Sequence, residues 1–390
     1  MSSVPASSST PTCLPVFHSP VTLLHDPPSE VLSGQLQRYF ESPERVSRIL
    51  AALLALPDFK EHKVNWQRTG VVTPGPLEAV KRVHDVEYIA FLAEIYEAWV
   101  AEGGSKDAAL PETFLRHDLL LDPAADTSEL SQGAIARIGR HSFDLSAPIT
   151  ADTYLCALAS ARLALEALEY LVNQPELRGA FALCRPPGHH STPTLCGGYC
   201  YLNNAGIAAR QYHAQQPASK VAILDIDYHH GNGTSKVFWD DASVLYVSLH
   251  AAGDYPWYTG SKAEVGGHSA RGTNLNYPLP LGTDNEQYLA TLDEAVQKVK
   301  NWNPALLIVS LGVDTYILDP LTDFKITLEA YPEMGRLVAQ VGVKKTLFLM
   351  EGGYCLDAIG SCVKGVLEGF LRGEEGAAAA EAVAAGQKAA

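Results

Sequence analysis

The sequence predicts an α/β fold with a mainly parallel sheet between helices. Short apolar runs recur from about residue 180 to residue 350, and helical or loop segments separate them. Runs that are apolar throughout indicate strands buried on both faces, and such strands with helices between them form parallel sheets. The predicted strands are AFALC, VAILDI, VLYVSL, ALLIVSL and TLFLM.

Helical spacing of apolar residues precedes the sheet in three places. It occurs at about residues 44 to 56, at 77 to 100 and at 150 to 173, where Thr150 is the expected N-cap. Proline, glycine and charges interrupt residues 102–148, which predicts a long loop region with short helices.

Both ends of the chain differ in composition from its middle. Residues 1–13 are rich in Ser, Thr and Pro, lack the pattern of a secretory signal, and predict a disordered N-terminal arm. Residues 373–390 are rich in alanine, which predicts a frayed helix or a loose tail. A single folded domain is therefore expected over residues 14–372.

The overall composition excludes several classes of partner. A net charge of -15 argues against a nucleic-acid surface, which needs clustered Lys and Arg, and is compatible with a small cationic substrate. No stretch of about 18 apolar residues is present, so no membrane span is expected. The cysteines have no regular spacing and predict no disulfide framework, so a reducing, cytoplasmic location is expected.

Polar side chains follow each predicted strand at its carboxyl end. Because ligands of open α/β sheets bind beyond the carboxyl ends of the strands, these residues predict one site. In chain order they are His189 and His190; Asp225, Asp227 and His229; Ser248 and His250; Asp314; and Tyr354.

The Asp-x-Asp-x-His motif indicates a metal site. The period of two in an extended segment places Asp225, Asp227 and His229 on one side, and Asp314 lies at another strand end. Two Asp and one His suit zinc with an open position for water, or iron(II) or manganese. Taken alone, the motif fits a capping Asp and a surface His equally well, but Asp314 favours the metal.

Other residues near these strand ends fit amide hydrolysis. The His189–His190 pair follows a rigid Pro-Pro-Gly turn and could move a proton, although isolated His pairs are more often structural. Tyr354 could donate to an oxyanion, although a lone Tyr here is more often a core residue. Cys196 and Cys200 could bind metal or form a disulfide, but hard ligands and a reducing setting favour unpaired cysteines, with Cys200 lining the pocket.

Several ordered motifs resemble the zinc-dependent histone deacetylase and acetylpolyamine amidohydrolase family. The resemblance covers roughly residues 14–372 and implies a catalytic domain with an arginase-like fold around an eight-stranded parallel sheet. The motifs are CRPPGHH, GGYCYLNNAGIAA, LDIDYHHGNGT, YVSLH, SLGVDT and MEGGY.

The resemblance implies a role for each site residue, carried over position by position. A Zn²⁺ ion, with Fe²⁺ as the alternative, and a structural K⁺ are the implied cofactors. The implied roles are metal binding by Asp227, His229 and Asp314; pairing of His189 with Asp225 and of His190, the proton acceptor and donor, with Asn232; oxyanion donation by Tyr354; a place near the inner end of the pocket for Arg45; and potassium binding by Asp225 and Ser248.

Particular segments resemble the polyamine branch of this family. Glu351 and Asn232 differ from the residues usual in class I histone deacetylases, and SFDLSAPITADTY and NLNYPLPLGT are similar to acetylpolyamine amidohydrolases. The resemblance places Gly198 and Tyr199 at one wall of a substrate tunnel. The opposite wall is expected at Tyr255, with Trp257 as the alternative.

The segment 102–148 occupies the place of an insertion that helps form a dimer and narrows the tunnel in that branch. Glu112 in this insertion could meet a distant ammonium group, although a solvated surface Glu is the favoured interpretation. A homodimer is therefore implied.

These observations predict a zinc-dependent amidohydrolase that removes acetyl or short acyl groups from amines. Acetylated polyamines or similar small acetylamines are the leading substrates, and a protein lysine deacetylase is the alternative. An arginase-type hydrolase with two metals and a non-catalytic acyl-amine binder are less favoured, since a second ligand set is not evident and no ligand, base or Tyr is missing.

Overall fold

The structure is a computed structural model that describes residues 13–65, 74–116, 120, 122 and 132–388. Its strands are β1 (Leu14–His18), β2 (Glu30–Leu32), β3 (Gln35–Gln37), β4 (Phe59–Lys63), β5 (Gly179–Ala182), β6 (Val221–Asp225), β7 (Val244–Ala251), β8 (Asn274–Leu279), β9 (Leu306–Leu311) and β10 (Thr346–Met350). Its helices are α1 (Glu44–Leu54), α2 (Pro74–Val80), α3 (Val86–Ala101), α4 (Ala134–His141), α5 (Thr153–Asn173), α6 (Asn204–Gln215), α7 (Asn232–Val237), α8 (Asn285–Trp302), α9 (Ala330–Ala339) and α10 (Ile359–Lys388).

Eight strands form one sheet in the order β4-β1-β5-β10-β9-β6-β7-β8. Every neighbouring pair in it is parallel, and β2 with β3 forms a separate antiparallel hairpin. The α/β fold with a central parallel sheet is confirmed. Each of the predicted apolar runs is a strand of this sheet.

Alternate residues of the central strands enter hydrophobic cores on opposite faces of the sheet. In β6, Ala222 and Leu224 pack into one core, whereas Val221 and Ile223 pack into the other. Helices α5 and α6 cover the second face, and α9 and α10 contribute to the first. Because both faces are buried, the strand sequences are apolar throughout rather than alternating.

Two helix predictions differ from the structure in their limits. The segment 77–100 is two helices, because Asp85 takes an extended conformation before α3 and the buried His84 beside it accepts a hydrogen bond from the Asn203 N–H. Helix α5 begins at Thr153 with Asp152 at the N-cap position, because the Thr150 hydroxyl contacts the Thr153 hydroxyl at 3.0 Å instead of accepting a helix N–H. Thr150 is therefore not the N-cap.

The structure describes only parts of the predicted terminal segments and of the insertion. Residues 1–12 of the predicted arm lie outside the described residues, as do 117–119, 121 and 123–131 of the insertion, whereas α4 lies within the insertion. Helix α10 runs through most of the predicted tail. Within the described part of the chain, no helix has the length and apolarity that crossing a membrane needs.

The order of the strands creates a switch point between β6 and β9. From β6 the chain continues to β7 on one side, whereas from β9 it continues to β10 on the other. Crevices outside the carboxyl ends of strands at such a reversal are the usual ligand sites of open α/β sheets. The segments that follow β6 and β9 carry Asp227, His229 and Asp314.

Candidate active site

Asp227, His229 and Asp314 meet at this switch point. One potential ligand atom from each lies within 4.8 Å of the others. His229 Nδ1 is 3.2 Å from Asp227 Oδ1 and 3.0 Å from Asp314 Oδ2. Both carboxylates are fully buried, whereas the His229 side chain is 12% exposed. The predicted ligand set is therefore assembled, with its imidazole toward the accessible side.

The surroundings of the two carboxylates fit a bound divalent ion. Asp227 Oδ2 accepts a hydrogen bond from the Gly352 N–H at 2.8 Å, and Asp314 Oδ1 accepts one from the Tyr228 N–H at 2.9 Å. Asp314 Oδ2 is buried and lies 3.0 Å from His229 Nδ1, so each carboxylate keeps one oxygen toward the other two candidate ligands. Gly352 must be a glycine, because a Cβ there would overlap Asp314 Oδ2.

The charges in this cluster predict that metal binding displaces a proton. Burial alone would lower the pKa of His229, but hydrogen bonds and negative charge from Asp227 and Asp314 outweigh it and raise the pKa to about 10. A ligating imidazole must be neutral. Between about pH 7 and pH 9 we therefore expect Zn²⁺ affinity to rise about tenfold per pH unit, the slope for one released proton.

Isothermal titration calorimetry of metal-depleted protein, in buffers with different ionisation enthalpies, measures this release. Release of no proton would contradict the assignment of a protonated His229. The His213→Ala variant is the matched control. His213 lies on α6 and bonds the backbone carbonyl of Ser219 in the loop that follows.

The His189–His190 pair lies on the loop after β5, beside the cluster of Asp227, His229 and Asp314. His189 Nδ1 is 3.1 Å from Asp225 Oδ2, and His190 Nδ1 is 2.7 Å from Asn232 Oδ1. Both predicted pairings are present. Since an amide oxygen only accepts, His190 Nδ1 carries its proton and Nε2 keeps its lone pair.

The two histidines differ in charge, because His189 is protonated and His190 is neutral. Burial opposes protonation of His189, but Asp227 and Asp225 outweigh it and raise its pKa to about 10. Burial lowers the pKa of His190, and the positive charges of His189 and His229 lower it further. His190 is therefore the neutral member of the pair, as a general base requires.

Tyr354 lies on the turn after β10, next to Tyr199. Their ring centroids are 5.4 Å apart. The backbone N–H of Tyr354 donates to Asp319 Oδ2 at 2.6 Å, which fixes the turn. Burial raises the pKa of Tyr354 well above 10, so its hydroxyl stays protonated and can donate. Arg45 lies under its ring, 5.1 Å from the centroid.

Arg45 joins the base of the site to α1. The side chain is buried and donates to the carbonyls of Glu351 and Gly353, at 2.5 and 2.7 Å, and to Glu41 Oε1 at 2.5 Å. The Glu351 carboxylate in turn accepts the N–H groups of Gly188 and His189, at 2.7 and 3.2 Å. The turn that carries Tyr354 is thus tied to the loop that carries the histidines.

Comparison with known proteins identifies the family of this arrangement. Residues 39–370 match the histone deacetylase domain. The chain belongs to the histone deacetylase family.

The proteins similar to this chain include two bacterial acetylpolyamine hydrolases and one plant histone deacetylase. Acetylpolyamine amidohydrolase 1 of Pseudomonas aeruginosa is 40% identical over 360 residues, which cover 91% of this chain and 97% of the relative. The crystal structure of an acetylpolyamine aminohydrolase from Burkholderia pseudomallei has a TM-score of 0.81 and 31% identity, covering 92% of this chain and 98% of that one. Histone deacetylase 8 of Arabidopsis thaliana is 30% identical over 346 residues, covering 86% and 80%.

In this deacetylase-family chain, Tyr255 rather than Trp257 lies against the histidines. The Tyr255 ring is edge-on to the rings of His190, at 5.0 Å, and His229, at 5.6 Å. Trp257 is 61% exposed and contacts Tyr255 from outside. The sequence left this choice open because both aromatic residues lie in the short stretch DYPWYTGS, which has no regular periodicity.

The remaining predicted site residues occupy three places. Asp225 and Ser248 are paired across β6 and β7, and Ser248 Oγ is 2.8 Å from His250 Nδ1. Cys200 is buried near His189 and Glu351, and all seven cysteines are free. Glu112 is exposed on the segment between α3 and α4.

Sequence reasoning missed the carboxylates that hold the aromatic residues. Glu30 Oε2 accepts the Tyr199 hydroxyl at 2.7 Å, and Asp144 Oδ2 accepts the Tyr255 hydroxyl at 2.6 Å. Asp319 accepts the backbone of Tyr354. Asp144 lies within SFDLSAPITADTY, a stretch noted only for its resemblance, and nothing in the sequence signals Glu30 or Asp319.

Proposed function

We propose that the chain is a zinc-dependent amidohydrolase that removes acetyl or short acyl groups from small amines. Acetylated polyamines are the leading substrate class. The observation that carries the proposal is a neutral His190 beside the cluster of Asp227, His229 and Asp314, with Tyr354 on the neighbouring strand end. The names of the relatives from Pseudomonas and Burkholderia support acetylpolyamines.

The chemistry divides between the ion and the side chains. Zn²⁺, held by Asp227, His229 and Asp314, would polarise the amide carbonyl and make water more acidic. His190 Nε2 accepts the proton of the attacking water and then delivers it to the amine nitrogen as the C–N bond breaks. Asn232 keeps the proton on His190 Nδ1 throughout.

Tyr354 and His189 each act on an electric charge in the site. Tyr354 donates its hydroxyl hydrogen to the carbonyl oxygen, where negative charge develops, and remains protonated because it is buried. His189 stays protonated between Asp225 and Asp227, and its positive charge keeps His190 neutral.

A slender amine chain fits the surroundings of this site. Tyr199 and Tyr255 present aromatic rings for a methylene chain, and the chain as a whole carries a net charge of -15. The alternative, a protein lysine deacetylase, is supported by the matching domain and by the more distant plant relative.

Three further parts of the proposal follow from the resemblance. A structural K⁺ would lie at Asp225 and Ser248, which are adjacent across β6 and β7. A homodimer would form through the insertion 102–148, with Glu112 at a distance from the histidines. The protein would act in the cytoplasm.

Turnover on two substrates tests the proposal. Zinc-loaded protein should hydrolyse N-acetylputrescine with a higher kcat/KM than an acetyllysine peptide. A preference for the peptide would assign the chain to lysine deacetylation. Binding of both without hydrolysis of either would instead make it an acyl-amine binder.

A further inference from the structure

Asp144 connects the two segments that flank the histidine pair. Its Oδ2 accepts hydrogen bonds from the Tyr255 hydroxyl, at 2.6 Å, and from the Gly198 N–H, at 3.0 Å. Its Oδ1 accepts the N–H of Ser146 at 2.9 Å. Both oxygens are therefore used within the protein, and one of them joins Tyr255 directly to the backbone before Tyr199. We call this connection the Asp144 brace.

Both segments joined by the Asp144 brace contact His190. Tyr255 is edge-on to the His190 ring. Gly198 lies so close to both side chains that a Cβ there would come within 2.4 Å of the His190 ring and 2.6 Å of the Tyr255 hydroxyl. The Asp144 carboxylate therefore links two of the elements that pack around His190.

The backbone on the Gly198 side needs such support. Gly198 has φ of +52° and Tyr199 has φ of +65°, and the second value is uncommon for a residue with a side chain. Conformations of this kind persist where surrounding contacts determine them. The bond from the Gly198 N–H to Asp144 is one such contact, and the Tyr199 hydroxyl bond to Glu30 is another.

We propose that Asp144 is a positioning residue that determines specificity: the brace holds Tyr255 and the Gly198–Tyr199 segment at a fixed separation, so that the passage to His190 admits an unbranched aminoalkyl chain and excludes a branched one. The inference rests on the proposed function, because it defines the shape of the amine that the same site accepts. Packed aromatic walls that cannot move apart make an extra methyl group costly.

The test compares N-acetylputrescine with its analogue that carries one methyl group on the carbon attached to the amide nitrogen. Wild-type protein should prefer the unbranched substrate in kcat/KM by at least about tenfold, the usual discrimination for one carbon in a rigid pocket. In Asp144→Ala and in Tyr255→Phe we expect most of that preference to be lost. The double variant should lose no more than either single one, because both changes break the same brace.

A matched pair of substitutions controls for a change of surface chemistry. Tyr277→Phe and Glu294→Ala break a similar tyrosine–carboxylate hydrogen bond, of 3.3 Å, that lies at the exposed surface. These variants should keep the wild-type preference. An unchanged preference in the brace variants, or additive losses in the double variant, would overturn the inference.

Hydrogen exchange separates failure of the inference from failure of the proposed function. If wild-type protein hydrolyses neither acetylamine, the proposed function fails. The brace is then tested by the hydrogen-exchange rate of the Gly198 amide. That amide should exchange about threefold to tenfold faster in Asp144→Ala, the change expected for one lost hydrogen bond. Unchanged exchange would show that no brace exists. Tyr255→Phe provides the same selectivity test if Asp144→Ala does not fold.

Discussion

Replacement of Tyr354 by Phe should lower kcat on N-acetylputrescine by about 10²- to 10³-fold, the usual effect of removing one oxyanion donor. The ring should stay between Arg45 and Tyr199, because its contacts with them do not involve the hydroxyl. Substrate KM and bound zinc should change little, since the donor acts where charge develops in the reaction. Steady-state kinetics with metal analysis of the same sample measures both.

Tyr96→Phe is the matched control for this variant. It removes a tyrosine hydroxyl that bonds the carbonyl of Lys106 near the surface. That variant should retain wild-type turnover. If Tyr354→Phe retained both its zinc and near-normal kcat, the role of Tyr354 as oxyanion donor would be wrong.

Replacement of His190 by Ala should lower kcat by about 10²- to 10⁴-fold, the range for loss of a general acid–base group. Because the base must be neutral, the acid limb of the wild-type kcat/KM profile should lie below the ordinary histidine pKa of about 6.5. The direction follows from burial and from the positive His189, both of which lower the pKa of His190. Activity should therefore be lost only as the pH falls below that limb.

The two histidines can be distinguished by rescue with imidazole. Added imidazole should restore part of the turnover of His190→Ala, because the missing function is proton transfer at Nε2. His189→Ala should respond less, since its function is a positive charge held between Asp225 and Asp227. Equal rescue of both variants would contradict this division of roles. Undiminished turnover in His190→Ala would contradict it as well.

The sequence predicted the sheet and the ends of its strands well because the physical signal there is local. Strands buried on both faces must be apolar throughout, so β6 and β9 stand out, and the residues that follow them necessarily meet at one edge. For that reason the strand ends pointed to Asp225, Asp227, His229 and Asp314, and the family resemblance then singled out Asp227, His229 and Asp314 as the ligands. The break at residues 81–85 could not, because a tertiary contact of His84 stabilises it.

The residues that hold the site in place could not be predicted either, because their roles also depend on tertiary contacts. Glu30 is 169 residues from Tyr199, and Asp144 is 111 residues from Tyr255. A single carboxylate in a loop carries no local pattern that shows which hydroxyl it will meet. The charge states of His189 and His190 likewise depend on burial and on neighbours from other strands.

We expect hydrolysis to depend on one metal ion held by Asp227, His229 and Asp314. The most direct test titrates Zn²⁺ into chelator-treated protein while turnover of N-acetylputrescine and bound zinc are measured together. Activity should be absent at the start and rise linearly to one equivalent, whereas Asp314→Ala should neither retain the ion nor recover. Full activity in metal-free protein, or in Asp314→Ala, would contradict the account.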